Sequence, residues 1–216
     1  MTSPLTSRQQ ILDRIRSATG PAIDPSAAYA AIPRLYIRHG TLTPSARLEL
    51  LIHRLREYDA EVVESTPADL PGTIAAQLAA SGKRLFVAPA SLSAEWLVPG
   101  YDWRIDNDLP HNEIEQAEGV VTSATCAVAD SGTIVLHHTP REGRRVLTLL
   151  PDWHLCILRA SQVVETLPEY FDRCAQPAKL ATYISGPSAT ADIEMTRIKG
   201  VHGPRFLHVI LVHDEI

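Results

Sequence analysis

The chain has 216 residues, 45% of them hydrophobic, and a formal net charge of −5. A chain of this length suits one large domain whose core needs no disulfide or metal staple. The acidic balance excludes a nucleic-acid binder, which must meet phosphates with a dense basic face. No apolar run approaches the ~20 residues of a membrane span. Met1–Arg16 is polar and amphipathic, without the apolar core of a signal peptide. The three cysteines, Cys126, Cys156 and Cys174, are scattered and form no CxxC, which suits free thiols in a reducing compartment. A cytoplasmic protein with no metal, iron–sulfur cluster or other cofactor is therefore expected. GxG and GxxxxGK[ST] are also missing, so neither the dinucleotide fingerprint nor the phosphate loop is present.

Thr6 or Ser7 can cap a first helix with Gln9 or Gln10 three residues on. Leu5, Ile11, Leu12 and Ile15 give it an apolar face, and Gly20 stops it. Pro21 to Pro44 carries four prolines and reads as a long connection. Residues 1–42 are thus expected to be an N-terminal helix and extended arm, and 43–216 the main domain. Thr43 caps a second helix with Pro44 at its first position, buried through Leu48, Leu51, Ile52 and Leu55. Ala60–Glu64 follows as a strand. Thr66 and Pro67 repeat the cap-and-proline start of a helix that carries Ile74 and Leu78 to Gly82, and Leu85–Ala88 is the next strand. Helix–strand–helix–strand with short links predicts a mostly parallel central sheet with flanking helices.

The second half is β-rich. Short runs at Val120–Thr122, Cys126–Ala129, Thr133–His138, Arg145–Leu149 and Leu155–Leu158 read as strands. Thr166–Cys174 reads as a short helix. Strands near Ala181–Ser185 and Phe206–His213 enclose a Gly/Pro-rich loop. Trp96, Trp103 and Trp153 are core aromatics on this reading. The three arginines of Arg141–Arg145 form either a solvated loop or an anion contact.

Three segments combine glycine with hydroxyls and charge. In Asp130-Ser131-Gly132-Thr133 the flanking strands put an acid and hydroxyls at a tight turn, where Gly132 permits positive φ or close approach of a ligand. The bland alternative is a turn in which Asp130 caps backbone amides. The pattern also resembles the turn of aspartic proteases, which need two copies where this chain has one. In Ser185–Glu194, amides near Gly186 and Pro187 with the hydroxyls of Ser188 and Thr190 can hold a carboxylate or phosphate, and Asp192 and Glu194 can orient a hydroxyl. A helix N-cap explains the same residues structurally. In Lys199–Pro204, Gly200, Gly203 and Pro204 fix a turn around His202, a candidate acid/base, although a lone histidine in a turn is commonly structural.

Ala129–Thr133, Pro151 before a β-run, Ser185-Gly186-Pro187-Ser188-x-Thr190-Ala191-Asp192-Ile193-Glu194 and Gly200–Pro204 occur in this order. With the opening Ile11-Leu12-x-Arg14-Ile15, they resemble the lactate utilization protein C family, built on the LUD domain. The resemblance implies a fold like that of the ribose-phosphate isomerase and coenzyme A transferase group, placing a LUD-type α/β domain in 43–216. It further implies a non-redox component of a system that oxidises L-lactate to pyruvate. Such a component binds a small carboxylate or organises iron–sulfur partner proteins; separately, the arm of residues 1–42 is expected to lie across the domain or to reach a neighbouring subunit of a homo-oligomer. The family usually has Glu where Asp130 stands, so the acid is one methylene shorter here. The alternative is an autonomous isomerase or acyl/CoA-transferase-like enzyme that uses Asp130 and His202.

Overall fold

The computed structural model describes residues 6–20, 24–174, 178–190, 198–200 and 203–214. They divide into two units, Met1–Tyr36 and Ile37–Ile216.

In the first unit, α1 (Ser7–Thr19) opens on the expected capping box. The Thr6 hydroxyl accepts the Gln9 N–H, and the Gln9 side chain accepts the Thr6 N–H at 2.8 Å. A second helix, α2 (Pro25–Ala30), occupies part of the stretch expected to be a connection. Its cues were local: Asp24 accepts the Ser26 N–H, and Pro25 stands where an amide would have no partner. Neither helix buries a side chain within this unit.

In the second unit, α3 (Pro44–Glu57) leads to β1 (Glu61–Ser65), α4 (Leu70–Ser81) and β2 (Leu85–Pro89). Helix α4 begins later than the Thr66–Pro67 cue, because the Thr66 hydroxyl donates to the Asp69 carboxylate and accepts the Asp69 N–H in a turn of its own. Strand β3 (Asp102–Asp106) and helix α5 (His111–Glu115) had no clear sequence signal. Then come β4 (Gly119–Ser123), β5 (Cys126–Val128), β6 (Thr133–Leu136), β7 (Trp153–Arg159), β8 (Val163–Val164), α6 (Leu167–Arg173) and β9 (Thr182–Ile184). A two-strand pair, β10 (Ala189–Thr190) with β11 (Ile198–Lys199), precedes β12 (Phe206–Val212).

Six strands form one all-parallel sheet in the order β1-β12-β7-β4-β2-β3. Parallel sheets must be covered on both faces. Leu70, Ile74 and Leu78 of α4 pack on one face against Phe86, Trp153 and Ile210. On the other, Leu48, Leu51 and Leu55 of α3 meet Val209 and Leu211, together with Ala127, Ile134 and Leu136 of a second sheet. Full burial of each such side chain stabilises the fold by about 1.5–3 kcal/mol.

The second sheet has the order β8-β5-β6-β9, antiparallel except between β5 and β8. Its outer side chains Cys126, Val128 and Val135 lie under Tyr170 of α6. Thus both expected sheet characters are present, the parallel one and the β-rich half.

Arg145–Leu149 is not a strand. Arg145–Thr148 is a single 3₁₀ turn, closed by Leu147 N–H to Arg144 C=O at 3.0 Å, and Leu147 anchors it against Val87, Ile114 and Val120. A run of five residues carries too few periods to separate a strand from a turn.

Gly119 of β4 is a packing requirement, since an added Cβ would meet the Phe86 and Trp153 rings at 2.9 Å. Gly119→Ala is expected to destabilise the protein by roughly 1–3 kcal/mol through overpacking. Urea unfolding should show a lower midpoint with an unchanged slope. An unchanged midpoint would contradict this packing.

Candidate functional site

The segment from His137 to Arg145 is folded around one buried carboxylate. Glu142 accepts the Thr125 hydroxyl at 2.6 Å and the backbone N–H groups of His137 and Thr139 at 2.9 and 3.0 Å. His138 holds a left-handed φ of 54° in this turn, a conformation costly for a residue with a Cβ. Its ring is fixed at both nitrogens: Nδ1 lies 3.0 Å from the Gly143 carbonyl and Nε2 2.7 Å from the Thr182 hydroxyl. A carbonyl only accepts, so Nδ1 carries the proton and, in the neutral ring, Nε2 accepts from Thr182.

The turn's two final arginines line a common depression beside Asp106 and Asp108 but differ in their partners. Arg144 grips Asp106 through Nε at 2.9 Å and Nη2 at 2.6 Å, reaches Asp108 at 2.8 Å, and donates to the Leu109 carbonyl. Arg145, half-buried, has no carboxylate partner among the described residues. It lines a cavity of about 200 Å³.

The cavity lies on the α3 side of the parallel sheet. His154 of β7 and Leu207 of β12 line it from the sheet, and Arg145 and Thr148 from the 3₁₀ turn. Thr182–Ile184 of β9, the Ser185–Ala189 loop and Gly203–Pro204 complete the lining. Two segments that the sequence showed apart are joined here. The Ser188 N–H donates to the Pro204 carbonyl at 2.8 Å, the Gly200 N–H to the Ser188 carbonyl at 2.9 Å, and Ala189 pairs with Lys199.

The Asp130–Thr133 turn reaches the same loop through hydroxyls. Ser131 Oγ lies 2.8 Å from Thr133 Oγ1, which lies 2.8 Å from Ser185 Oγ. Asp130 itself is exposed and lines a separate depression with Arg54, Glu57 and Tyr58. Gly132 has φ 61°, and a Cβ there would meet Arg54 Cβ at 2.8 Å, so this glycine serves the packing of α3. Gly186 both lines the cavity and meets a structural demand: at φ 82°, an added Cβ would lie 2.5 Å from Tyr58 Cβ. Pro187, Ser188 and Gly203 line the cavity as well, whereas Asp192, Glu194 and His202 lie outside the described residues, as does the Thr190 side chain.

His154 was not singled out by sequence reasoning, because a histidine inside the apolar run Trp153–Leu158 carries no motif. Its side chain is 1% exposed, and Nε2 lies 2.8 Å from the Thr122 hydroxyl across the neighbouring strand. Burial lowers its pKa from 6.5 to about 4, so the ring is neutral at physiological pH. The nearby thiol of Cys156 is pushed up to about 12 and that of Cys126 to about 11 by the same cause, which keeps both protonated and unreactive. Among the described residues no group of three or more His, Cys, Asp or Glu is placed to hold a metal ion, and no helix is long and apolar enough to cross a membrane.

The His154 shift has a stability consequence. The unfolded imidazole titrates near 6.5 and the folded one near 4, so the unfolded chain takes up the proton first as pH falls. The contribution is complete above about pH 6.5 and is lost toward pH 4, by up to about 3 kcal/mol. His208, also lowered by burial, has the same sign. Urea unfolding across this range should show that loss, reduced in His154→Leu. NMR should show no His154 titration between about pH 8 and 5.5, and a titration near 6.5 would refute the assignment.

Comparison with known proteins agrees with this architecture. The LUD domain family matches residues 100–212, which include β3 to β12 and every residue lining the cavity. The lactate utilization protein C of Deinococcus radiodurans is 40% identical over 176 residues, 78% of this chain and 82% of the relative. The protein of the same name from Bacillus pumilus is 27% identical over the full length of both. A crystal structure of a DUF162 family protein from Deinococcus radiodurans superposes with a TM-score of 0.68 at 35% identity, covering 80% of this chain and 99% of that one. By the extent of these matches, the chain belongs to the lactate utilization protein C family of LUD-domain proteins.

Proposed function

We propose that this protein is the non-redox component of an L-lactate oxidation system, that its cavity binds a small carboxylate, and that it acts beside partner proteins carrying iron–sulfur clusters in the cytoplasm. The name shared by its relatives supports the pathway. The observation that carries the ligand class is Arg145, a half-buried residue without a carboxylate partner among the described residues, which lines a small cavity with the hydroxyl-bearing Thr148, Thr182, Ser185 and Ser188. A guanidinium fork pairs with a carboxylate through two parallel hydrogen bonds. The volume of about 200 Å³ is below the range typical of drug-sized ligands and suits a small acid.

In this reading Gly186, Pro187, Ser188 and Gly203 belong to the ligand shell, and Ser131 and Thr133 support it through Ser185. The buried, protonated thiols suit a component that does not itself carry electrons. The domain from residue 43 onward takes the plan of the ribose-phosphate isomerase and coenzyme A transferase group, for which the covered parallel sheet is the support. An autonomous enzyme built on Asp130 and His202 gains no support from Asp130, which is exposed in a different depression.

Calorimetric titration of the full chain with L-lactate and pyruvate tests the ligand. Arg145→Gln is expected to weaken binding about tenfold or more, the effect of losing a charged hydrogen-bond partner. Equal affinity of the variant, or no binding of either acid by the parent protein, would overturn the reading. Affinity capture of the tagged protein from cells grown on L-lactate should retain iron–sulfur proteins, recognisable by bound iron and sulfide. Their absence would remove the partner assignment.

A further inference from the structure

Resting on that reading of the cavity, we propose that His154, backed by Thr122, reads an oxygen adjacent to the ligand's carboxylate, so that the site selects short 2-hydroxy carboxylates over simple ones. The His154 ring is almost wholly buried, yet only Nε2 has a partner, the Thr122 hydroxyl at 2.8 Å. Nδ1 has no hydrogen-bond partner among the described residues, and the ring lines the cavity that holds Arg145. Among the described residues, the fully buried side-chain atoms without a partner are Arg47 Nε, Arg54 Nε and Trp153 Nε1, so the unpartnered Nδ1 opens to the cavity, where a ligand that supplies a hydrogen bond gains affinity.

The two groups divide the recognition. Arg145 is the cation of the site and suits a carboxylate. His154 is neutral, since burial lowers its pKa to about 4, and so contributes a hydrogen bond without a charge. Its partner is a hydroxyl that can both donate and accept. When Thr122 donates to Nε2, Nδ1 carries the proton and donates into the cavity. When Nε2 donates to Thr122, Nδ1 is a bare acceptor. A ligand hydroxyl satisfies either arrangement, a carbonyl oxygen satisfies only the first, and a methylene satisfies neither. The preferred order is therefore hydroxy acid, then oxo acid, then the plain acid of equal length. The space also sets a size limit: at about 30 Å³ of liquid per water molecule, about 200 Å³ corresponds to roughly six or seven waters, room for an acid of a few carbons.

Calorimetric titration of the full chain with L-lactate, pyruvate and propionate reads the preference directly. The parent protein should bind L-lactate about tenfold or more tightly than propionate, with pyruvate between. In His154→Leu the ratio of the L-lactate to the propionate affinity should fall to about one. Thr122→Val, nearly isosteric, should reduce it with the core still packed. The unaltered protein gives a check independent of folding: the Nδ1 resonance of His154 should shift with L-lactate and not with propionate. Equal binding of the two acids by the parent protein, a preference that survives His154→Leu, or an unmoved Nδ1 resonance with lactate bound would overturn the proposal. If no acid binds the parent protein, the carboxylate site itself falls, and this inference with it.

Discussion

The position of the last strand governs the rest of the structure. β12 lies between β1 and β7, pairing in parallel with both, and β1 has no other strand neighbour among the described residues. The first strand of the larger unit therefore acquires its ladder only when Phe206–Val212 docks. Such long-range parallel pairing costs chain entropy before any contact repays it. It is repaid by burial: Val209 and Leu211 face α3 and the second sheet, while Ile210 and Val212 face α4. Because β12 also supplies Leu207 to the cavity, completing the sheet and completing the candidate site are one event.

The local electrostatics follow from how a single loop distributes charge. Glu142 is 1% exposed, and three donors from the loop and from Thr125 satisfy its carboxylate. That arrangement sets the path of the residues after it. Arg144 is consumed by Asp106 and Asp108 at the end of β3, a structural role for a charge pair that is only partly buried. Arg145, next in the chain, lines both the depression beside Asp106 and Asp108 and the cavity, and makes no ion pair with an acid among the described residues. Of two adjacent arginines, one is held by two carboxylates and the other has no carboxylate partner among the described residues. Nothing in the composition of Arg141–Arg145 distinguishes them.

The histidines show the same division by environment. His137 and His138 are held in hydrogen bonds with Tyr170, Gly143 and Thr182. His208 stacks near Trp153 and contacts Gln77 and Glu61. His213 pairs with Glu64 at the surface. His154 alone among these combines near-complete burial with an unpartnered nitrogen at the cavity. Burial keeps it uncharged and thus suited to hydrogen-bond recognition in place of ion pairing.

Much of the fold was legible in the residues themselves, because its signals are local. Thr6 with Gln9, and Thr43 with Pro44, cap α1 and α3 within one turn of chain. The stripe Leu48, Leu51 and Leu55 repeats at helical spacing, and β12 announces itself as an apolar run. The order of Ser185–Pro187 and Gly200–Pro204 pointed to a loop that does line the cavity at Gly186, Pro187 and Gly203. Strand β3 and the 3₁₀ turn at Arg145 were not legible, since short runs take whichever backbone their neighbours complete. The members of the candidate site lay still further from view. Asp130 turns to the Arg54–Tyr58 surface although its neighbours Ser131 and Thr133 reach Ser185, and His154 meets Thr122 only because β4 and β7 are adjacent. Sequence alone thus determined the capped helices, the apolar strands and the glycine-bearing loops, each set by interactions within a few residues. Tertiary structure decided which arginine has no carboxylate partner among the described residues and which histidine was buried against a hollow, because both depend on partners that only strand order brings together.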